Sequence, residues 1–269
     1  MLRRLYNPND RPSDHPMRIA GFMSGSGTNL RKILEASFQD GRCRVVMIFS
    51  DRSDSKAVEI GKDFDIPVFV RDIRGFYAKR GKSLRDLVVR EEFDRETVKA
   101  LSSYEVDVVA YAGYMSIATQ PLIDAFLGVN VHPADLSIMN RDKRKYTGDH
   151  AVRDAVKSGE KQLRASTHLI EEKVDYGRIL MISAPLSVPY DEIRSRLLSK
   201  DPETLNALER NMINDFVKEQ QNLLKEKGDW IIFPKTLEYL AEGRYAQDGQ
   251  GSLYFDNQPI PQGLRLEEI

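Results

Sequence analysis

The chain has 269 residues, enough for one large α/β domain or two small ones. Hydrophobic residues make up 41% and charged residues 30%, an ordinary globular balance, and the net charge of −1 gives no electrostatic case for a nucleic-acid or membrane partner. A single cysteine, Cys43, excludes an intramolecular disulfide and a cysteine-based zinc site, and no apolar run approaches the roughly 18 residues that cross a bilayer.

The first sixteen residues are polar, with Pro8, Pro12 and Pro16, and lack the apolar core of a secretory signal. They read as a flexible leader, and the cytoplasm is the expected compartment. Met17–Met23 reads as a short apolar strand. Asn29 to Phe38 has Leu30, Ile33, Leu34 and Phe38 at helical spacing. Arg44–Ser50 is strand-like, Lys56–Phe64 helical, and Ile66–Val70 a short strand. Ser83–Tyr104 reads as a long charged amphipathic helix leading into a buried strand at 106–112. This alternation predicts a Rossmann-like α/β fold: a mostly parallel twisted sheet with flanking helices. Cys43 precedes an apolar strand and reads as buried rather than reactive.

The pattern changes after the next strand-like segment, Val129-Asn-Val-His132. Residues 139–148 form a polar, basic loop, and Asp149–Ser158 looks helical. Arg164–Glu171 and Arg178–Val188 look like two strands joined by a six-residue connection, which predicts an antiparallel hairpin at the sheet edge. Asp201-Pro202 offers a cap and a first-turn proline for a further helix, with Leu205, Leu208, Met212 and Phe216 as its apolar stripe. The expected organisation is a leader at 1–16, one domain over 17–263 with a helical insertion at about 201–228, and a tail at 264–269.

Two segments carry chemistry. Ser24-Gly25-Ser26-Gly27-Thr28-Asn29-Leu30 lies between the first strand and the first helix. Its glycines let a ligand approach the backbone, and the helix start presents free N–H groups. Leu30 breaks the dinucleotide fingerprint, and no Gly-Lys-Ser/Thr ends the loop, so a single terminal phosphate fits best. A plain glycine turn capped by Thr28 or Asn29 is the alternative. In the second segment, Asn130 and His132 are two residues apart on a strand and so share a face. An amide donor for an oxyanion beside an imidazole suits acyl transfer, although a structural pair is the commoner use of such residues.

These segments resemble the glycinamide ribonucleotide formyltransferases of the formyltransferase superfamily. The similarity runs through Arg18-Ile-Ala to Leu30, Phe93-Asp-Arg-Glu96, Asp107–Met115, Asn130-Val-His132-Pro133, Ser166-Thr-His168, Asp175-Tyr-Gly177, Ile232-Phe-Pro234, Gly243-Arg and Pro261-Gln-Gly263. It covers roughly residues 17–263 with two insertions. The resemblance implies the formyltransferase fold, with Asn130, His132 and Asp175 as the catalytic trio. It implies that Gly25, Ser26, Gly27, Thr28 and Asn29 hold the substrate phosphate and Asp229 its ribose. Arg90 would lie near the folate glutamyl tail, and Met115, Ser116, Ile117 and Ala118 would line the pterin pocket with backbone groups. His168 would orient the site from behind. The formyl donor would be 10-formyltetrahydrofolate, the acceptor glycinamide ribonucleotide, and no metal is expected. Neither nucleic acid nor membrane is expected as a partner; homodimerisation is left open.

The sequence departs from this family at several points. The folate loop, usually Asp-Gly-Gly-Pro, is Asp175-Tyr176-Gly177-Arg178, and Ser116 stands where Arg is common. Arg141-Asp-Lys-Arg-Lys145 brings four basic residues into a loop that usually has few charges; it reads as solvated, with a polyglutamate or second phosphate contact as the sharper alternative. Other readings are a formyltransferase acting on another amine such as an amino sugar nucleotide, a formyltetrahydrofolate hydrolase, and a non-catalytic folate- or nucleotide-binding protein. Taken without the resemblance, Asp175 reads first as a turn residue.

Overall fold

Runs such as Met17–Met23 and Val108–Tyr111 are apolar at almost every position, so they can be strands only where both sheet faces are covered. A computed structural model describes residues 1–10, 15–36 and 41–268 and shows this arrangement. Its main sheet has eight strands: β1 (Met17–Met23), β2 (Cys43–Ser50), β3 (Val68–Val70), β4 (Val108–Tyr111), β5 (Leu127–His132), β6 (Ser166–Leu169), β7 (Ile179–Ile182) and β8 (Leu264–Arg265). Their spatial order is β8-β7-β6-β5-β4-β1-β2-β3. All neighbours are parallel except β6, which runs antiparallel to both β5 and β7.

The helices are α1 (Thr28–Glu35), α2 (Ala57–Asp63), α3 (Ile73–Ala78), α4 (Leu87–Leu101), α5 (Gln120–Ala125), α6 (Ala151–Lys157), α7 (Glu192–Leu198), α8 (Ala207–Leu224) and α9 (Trp230–Ala241). Two large apolar clusters form among the described residues, one on each face of the sheet. Leu30 and Ile33 of α1, Val152 of α6, Leu224 of α8 and Phe233 of α9 join one of them; Phe76 of α3, Phe93 of α4 and Leu122 of α5 join the other. Among the described residues no helix is long and apolar enough to cross a membrane.

Sheet order decides where a ligand can sit. From β1 the chain winds outward through β2 and β3, then returns to place β4 on the other side of β1. The loops leaving β1 and β4 therefore diverge, opening a crevice at the carboxyl ends of those strands.

Several elements differ from the sequence expectations. Arg3–Arg4, within the expected leader, pair antiparallel with Ala246–Gln247, because the main-chain groups of an edge strand recruit a partner. Leu264–Arg265, within the expected tail, form β8 beside β7, so the hairpin does not end the sheet. Phe38 lies outside the described residues. Helices α3 and α5 are too short to show a period, and the long helix is trimmed to α4, capped by Asp86. Asp201 opens only a 3-10 turn; α8 starts at Ala207, where Asn206 and Glu209 form a reciprocal capping box. With the start moved, the buried stripe becomes Ile213, Phe216, Val217, Gln220 and Leu224, while Leu208 is 70% and Met212 44% exposed. Cys43 is buried, as read.

Candidate active site

A cleft of about 450 Å³ lies at the switch point between β1 and β4. The loops after β1 and β4, the end of β5, the 168–175 segment and the turn that follows α8 line it. Gly25 to Asn29, Asn130, His132, His168, Asp175, Asp229 and Met115 to Ala118 all face this one cavity. Residues up to 205 positions apart in the sequence meet there: the loops after β1 and β4 and the end of β5 share one end of the sheet, while the antiparallel pairing of β6 with β5 and the turn between α8 and α9 bring His168, Asp175 and Asp229 to the same cleft.

The loop after β1 forms an anion-type end. Gly27 caps α1 in a left-handed conformation, φ +66, and a Cβ there would stand 2.5 Å from the Ile60 side chain. No side chain caps the helix, so its first N–H groups stay open toward the cleft. Ser24 is spent on structure: its hydroxyl donates to Asp51 at 2.6 Å and accepts from the Met115 N–H at 2.8 Å. Asn29 also has its side chain engaged, donating to Asp229 Oδ2 at 3.3 Å and accepting from Trp230 Nε1 at 3.1 Å. An anion contact from Asn29 can come from its backbone N–H or from the second N–H of its Nδ2.

Asp229 is buried at the wall of this end. Burial pushes its carboxyl up to about 7, with the Asn29 bond and the nearby Lys225 opposing the shift. Its Oδ1 has no hydrogen-bond partner. A buried acceptor without a partner is costly, and a ligand hydroxyl could supply the missing donor. Lys225, which also lines the cleft, reaches it because residues Lys225–Asp229 form one π-helical turn between α8 and α9. Such a turn carries an extra residue and re-aims side chains. The sequence reading missed Lys225, which falls in the expected helical insertion, and Gln221 one turn earlier. A lysine four residues ahead of Asp229 was the available signal.

The other end holds the acyl-transfer candidates. Antiparallel pairing of β5 with β6 sets Asn130 opposite His168 and His132 opposite Ser166. His168 Nδ1 lies 2.8 Å from the Leu169 carbonyl, which can only accept, so Nδ1 carries the proton. The bare Nε2 then accepts from Asn130 Nδ2 at 3.2 Å. This fixes the amide's orientation and leaves its second N–H for a ligand. Burial depresses the His168 pKa to about 4, so the ring stays neutral and keeps accepting at neutral pH.

His132 Nε2 donates to the Tyr146 carbonyl at 3.1 Å, which turns Nδ1 toward Asp175 Oδ1, 3.5 Å away. Burial lowers the His132 pKa, and Asp175 opposes this only in part. Burial therefore favours the neutral ring in the ligand-free cleft, and negative charge that appears beside it during the reaction favours its protonation. Asp175 has a left-handed backbone, φ +58, and its Oδ2 accepts from the Gly148 N–H at 2.7 Å.

Met115 to Ala118 line the cleft, and Met115 is 66% exposed. Ser116, the departure from the family's arginine, bonds Asp51. Arg90 is a correction. It is only 2% exposed and does not line the cleft; its guanidinium donates to Tyr114 at 2.9 Å and pairs with Asp94 at 2.8 Å. Asp94 in turn accepts from the N–H and hydroxyl of Thr119. Arg90 therefore braces the 114–119 wall and does not reach the cleft; among the described residues the arginine that lines it is Arg52. The basic loop is also only partly solvated: Arg144 and Lys145 bond Asp175 and Glu160, while Arg141 and Lys143 stay exposed. Among the described residues no group of three His, Cys, Asp or Glu side chains is placed to hold a metal.

Comparison with known proteins accords with this arrangement. Residues 17–205 match the formyl transferase family model. Phosphoribosylglycinamide formyltransferase of Mycobacterium tuberculosis is 33% identical over 171 residues, which cover 63% of this chain and 71% of that protein. The trifunctional purine biosynthetic protein adenosine-3 of Drosophila melanogaster is 29% identical over 185 residues; this match covers 67% of the chain but 12% of that larger protein. The crystal structure of glycinamide ribonucleotide transformylase 1 from Symbiobacterium toebii superposes with a TM-score of 0.65 at 26% identity, covering 90% of this chain and 94% of that one. The family model spans more than half of the sequence, and the chain belongs to the formyl transferase family.

Proposed function

We propose that this enzyme transfers the formyl group of 10-formyltetrahydrofolate to the amine of glycinamide ribonucleotide, a step of de novo purine synthesis, in the cytoplasm. One observation carries the reading: a helix-start anion site and an amide–imidazole–carboxylate cluster face each other in a single cleft. A ribonucleotide phosphate seated on the open N–H groups of α1 puts the ribose beside Asp229, whose unpaired Oδ1 fits a hydroxyl donor. The amine then points toward Asn130, His132 and Asp175. The folate ring fits against the backbone of residues 115–118, and Arg52 is the candidate partner for its carboxylates.

The chemistry follows from charge. As the amine adds to the formyl carbon, negative charge develops on the formyl oxygen. The free N–H of Asn130, held by His168, is the donor for it, and such a donor is worth about 3 kcal/mol. The new anion raises the proton affinity of His132, so Asp175 can pass to its Nδ1 the proton taken from the amine and recover it as the charge is lost. Asp175, directly or through a water, accepts the proton that the amine must lose and returns it to the departing folate nitrogen. No metal is required.

An assay of formyl transfer with 10-formyltetrahydrofolate tests this. Folate product only when glycinamide ribonucleotide is present is the expected result. Equal product without acceptor would make the enzyme a hydrolase. Folate binding without product in either case would mean that another amine is the acceptor.

A further inference from the structure

We propose that Arg144 is a positioning residue for the Asp175 carboxylate, its guanidinium holding the turn that aims Asp175 at His132. The inference rests on the reading of Asp175 as the proton carrier. Residues 173–176 form a turn closed by the Tyr176 N–H on the Lys173 carbonyl at 3.1 Å, with Asp175 at its third position. Asp175 has a left-handed backbone there, φ +58, which glycine adopts freely and which costs an L-residue about 1–2 kcal/mol. Such a conformation persists only where its surroundings over-determine it.

Arg144 supplies that determination. Its Nη1 donates to the Asp175 main-chain oxygen at 2.6 Å, so the strained residue has its backbone held by Arg144 and its carboxylate by the Gly148 N–H. The guanidinium carbon sits 5.6 Å from the centre of the Tyr176 ring, against which Lys173 Nζ also packs at 3.3 Å. Gly177 then leaves no freedom at the exit, since a Cβ there would lie 1.7 Å from the Leu169 oxygen. The segment that carries Arg144 also supplies the Tyr146 carbonyl that orients His132. The two chain-specific departures, the basic loop and Tyr176, thus form one device: the loop reaches across and locks the turn.

The test compares Arg144→Met, Arg144→Lys, Tyr176→Leu and Arg144→Met/Tyr176→Leu with the wild type, and includes Asp175→Asn. Arg144→Met keeps the aliphatic stem and removes the donor. Its kcat is expected to fall about tenfold or more, with KM for both substrates within about twofold. Arg144→Lys recovers part of the loss, and the double variant loses less than the product of the single losses. In the ligand-free protein, the His132 imidazole titration followed by NMR should move to higher pH in Arg144→Met, because a positive charge is lost from a ring that otherwise faces Asp175, Asp149 and His168.

Wild-type kcat and an unmoved His132 titration in Arg144→Met would overturn the inference, as would a loss confined to KM for the folate. If Arg144→Met does not fold, the Lys variant and Tyr176→Leu carry the same comparison. Asp175→Asn separates the two claims. Inactivity of that variant beside a fully active Arg144→Met would refute the positioning role alone. Full activity of Asp175→Asn would remove the proton carrier itself.

Discussion

Replacing Asp229 with Asn should stabilise the protein while impairing its use of the acceptor, and the stabilisation should grow with pH. Burial holds the Asp229 carboxyl at about 7, against an ordinary value of 3.8. Because the folded value is the higher one, the unfolded chain releases this proton first. Native stability is unpenalised below about 4 and falls as pH rises toward the folded value. The full penalty is roughly 4 kcal/mol, at about 1.4 kcal/mol per tenfold change in proton affinity. About 1.5–2 kcal/mol of it is already present at pH 5 and nearly all at pH 8. Asn cannot ionise, so urea denaturation of both proteins should show the stability gap widening by roughly 2–3 kcal/mol between these two pH values. A gap constant within about 0.5 kcal/mol would refute the reasoning, since the carboxylate would then be hydrated or paired. The same variant should raise KM for glycinamide ribonucleotide about tenfold or more, by replacing the acceptor that awaits a hydroxyl.

Asn130→Ala should lower kcat by on the order of 100- to 1000-fold with little change in KM; an unchanged kcat would remove the oxyanion role. The acid limb of kcat/KM should have its midpoint below the ordinary histidine value of 6.5, because His132 is depressed by burial and must be neutral before reaction. A midpoint above 6.5 would mean that the Asp175 pair, rather than burial, controls the ring. Gly177→Ala should destabilise the fold by on the order of 2–4 kcal/mol in denaturation, since the new methyl meets backbone at 1.7 Å and backbone cannot step aside cheaply. A melting curve like the wild type's would show that the 171–178 turn is not fixed as described.

Much of the fold was legible from local pattern. Apolar runs gave β1, β2 and β4, and the glycine-rich segment after β1 sat where the helix-start site formed. Asn130 and His132 share a face because strand geometry has a period of two, whatever the surroundings. Local signals failed where two competed. Asp201-Pro202 and Asn206-x-x-Glu209 both offered caps, and the reciprocal box at 206 took the helix because its two bonds satisfy two otherwise open donors. Arg90 was misread for a related reason. Its spacing in α4 was visible, but Asp94 one turn later and Tyr114 on another element draw the guanidinium into the interior.

The sequence by itself determined the class of fold, the anion-type loop and the paired amide and imidazole, because backbone periodicity and turn chemistry act over a few residues. Tertiary structure alone decided that Arg144 grips the Asp175 turn, that His168 orients Asn130, that Lys225 enters the cleft, and that Asp229 is left with an unpaired oxygen. Each of these depends on burial and on partners brought from distant parts of the chain. Desolvation and hydrogen-bond geometry have no value until the sheet order has set which loops share one end.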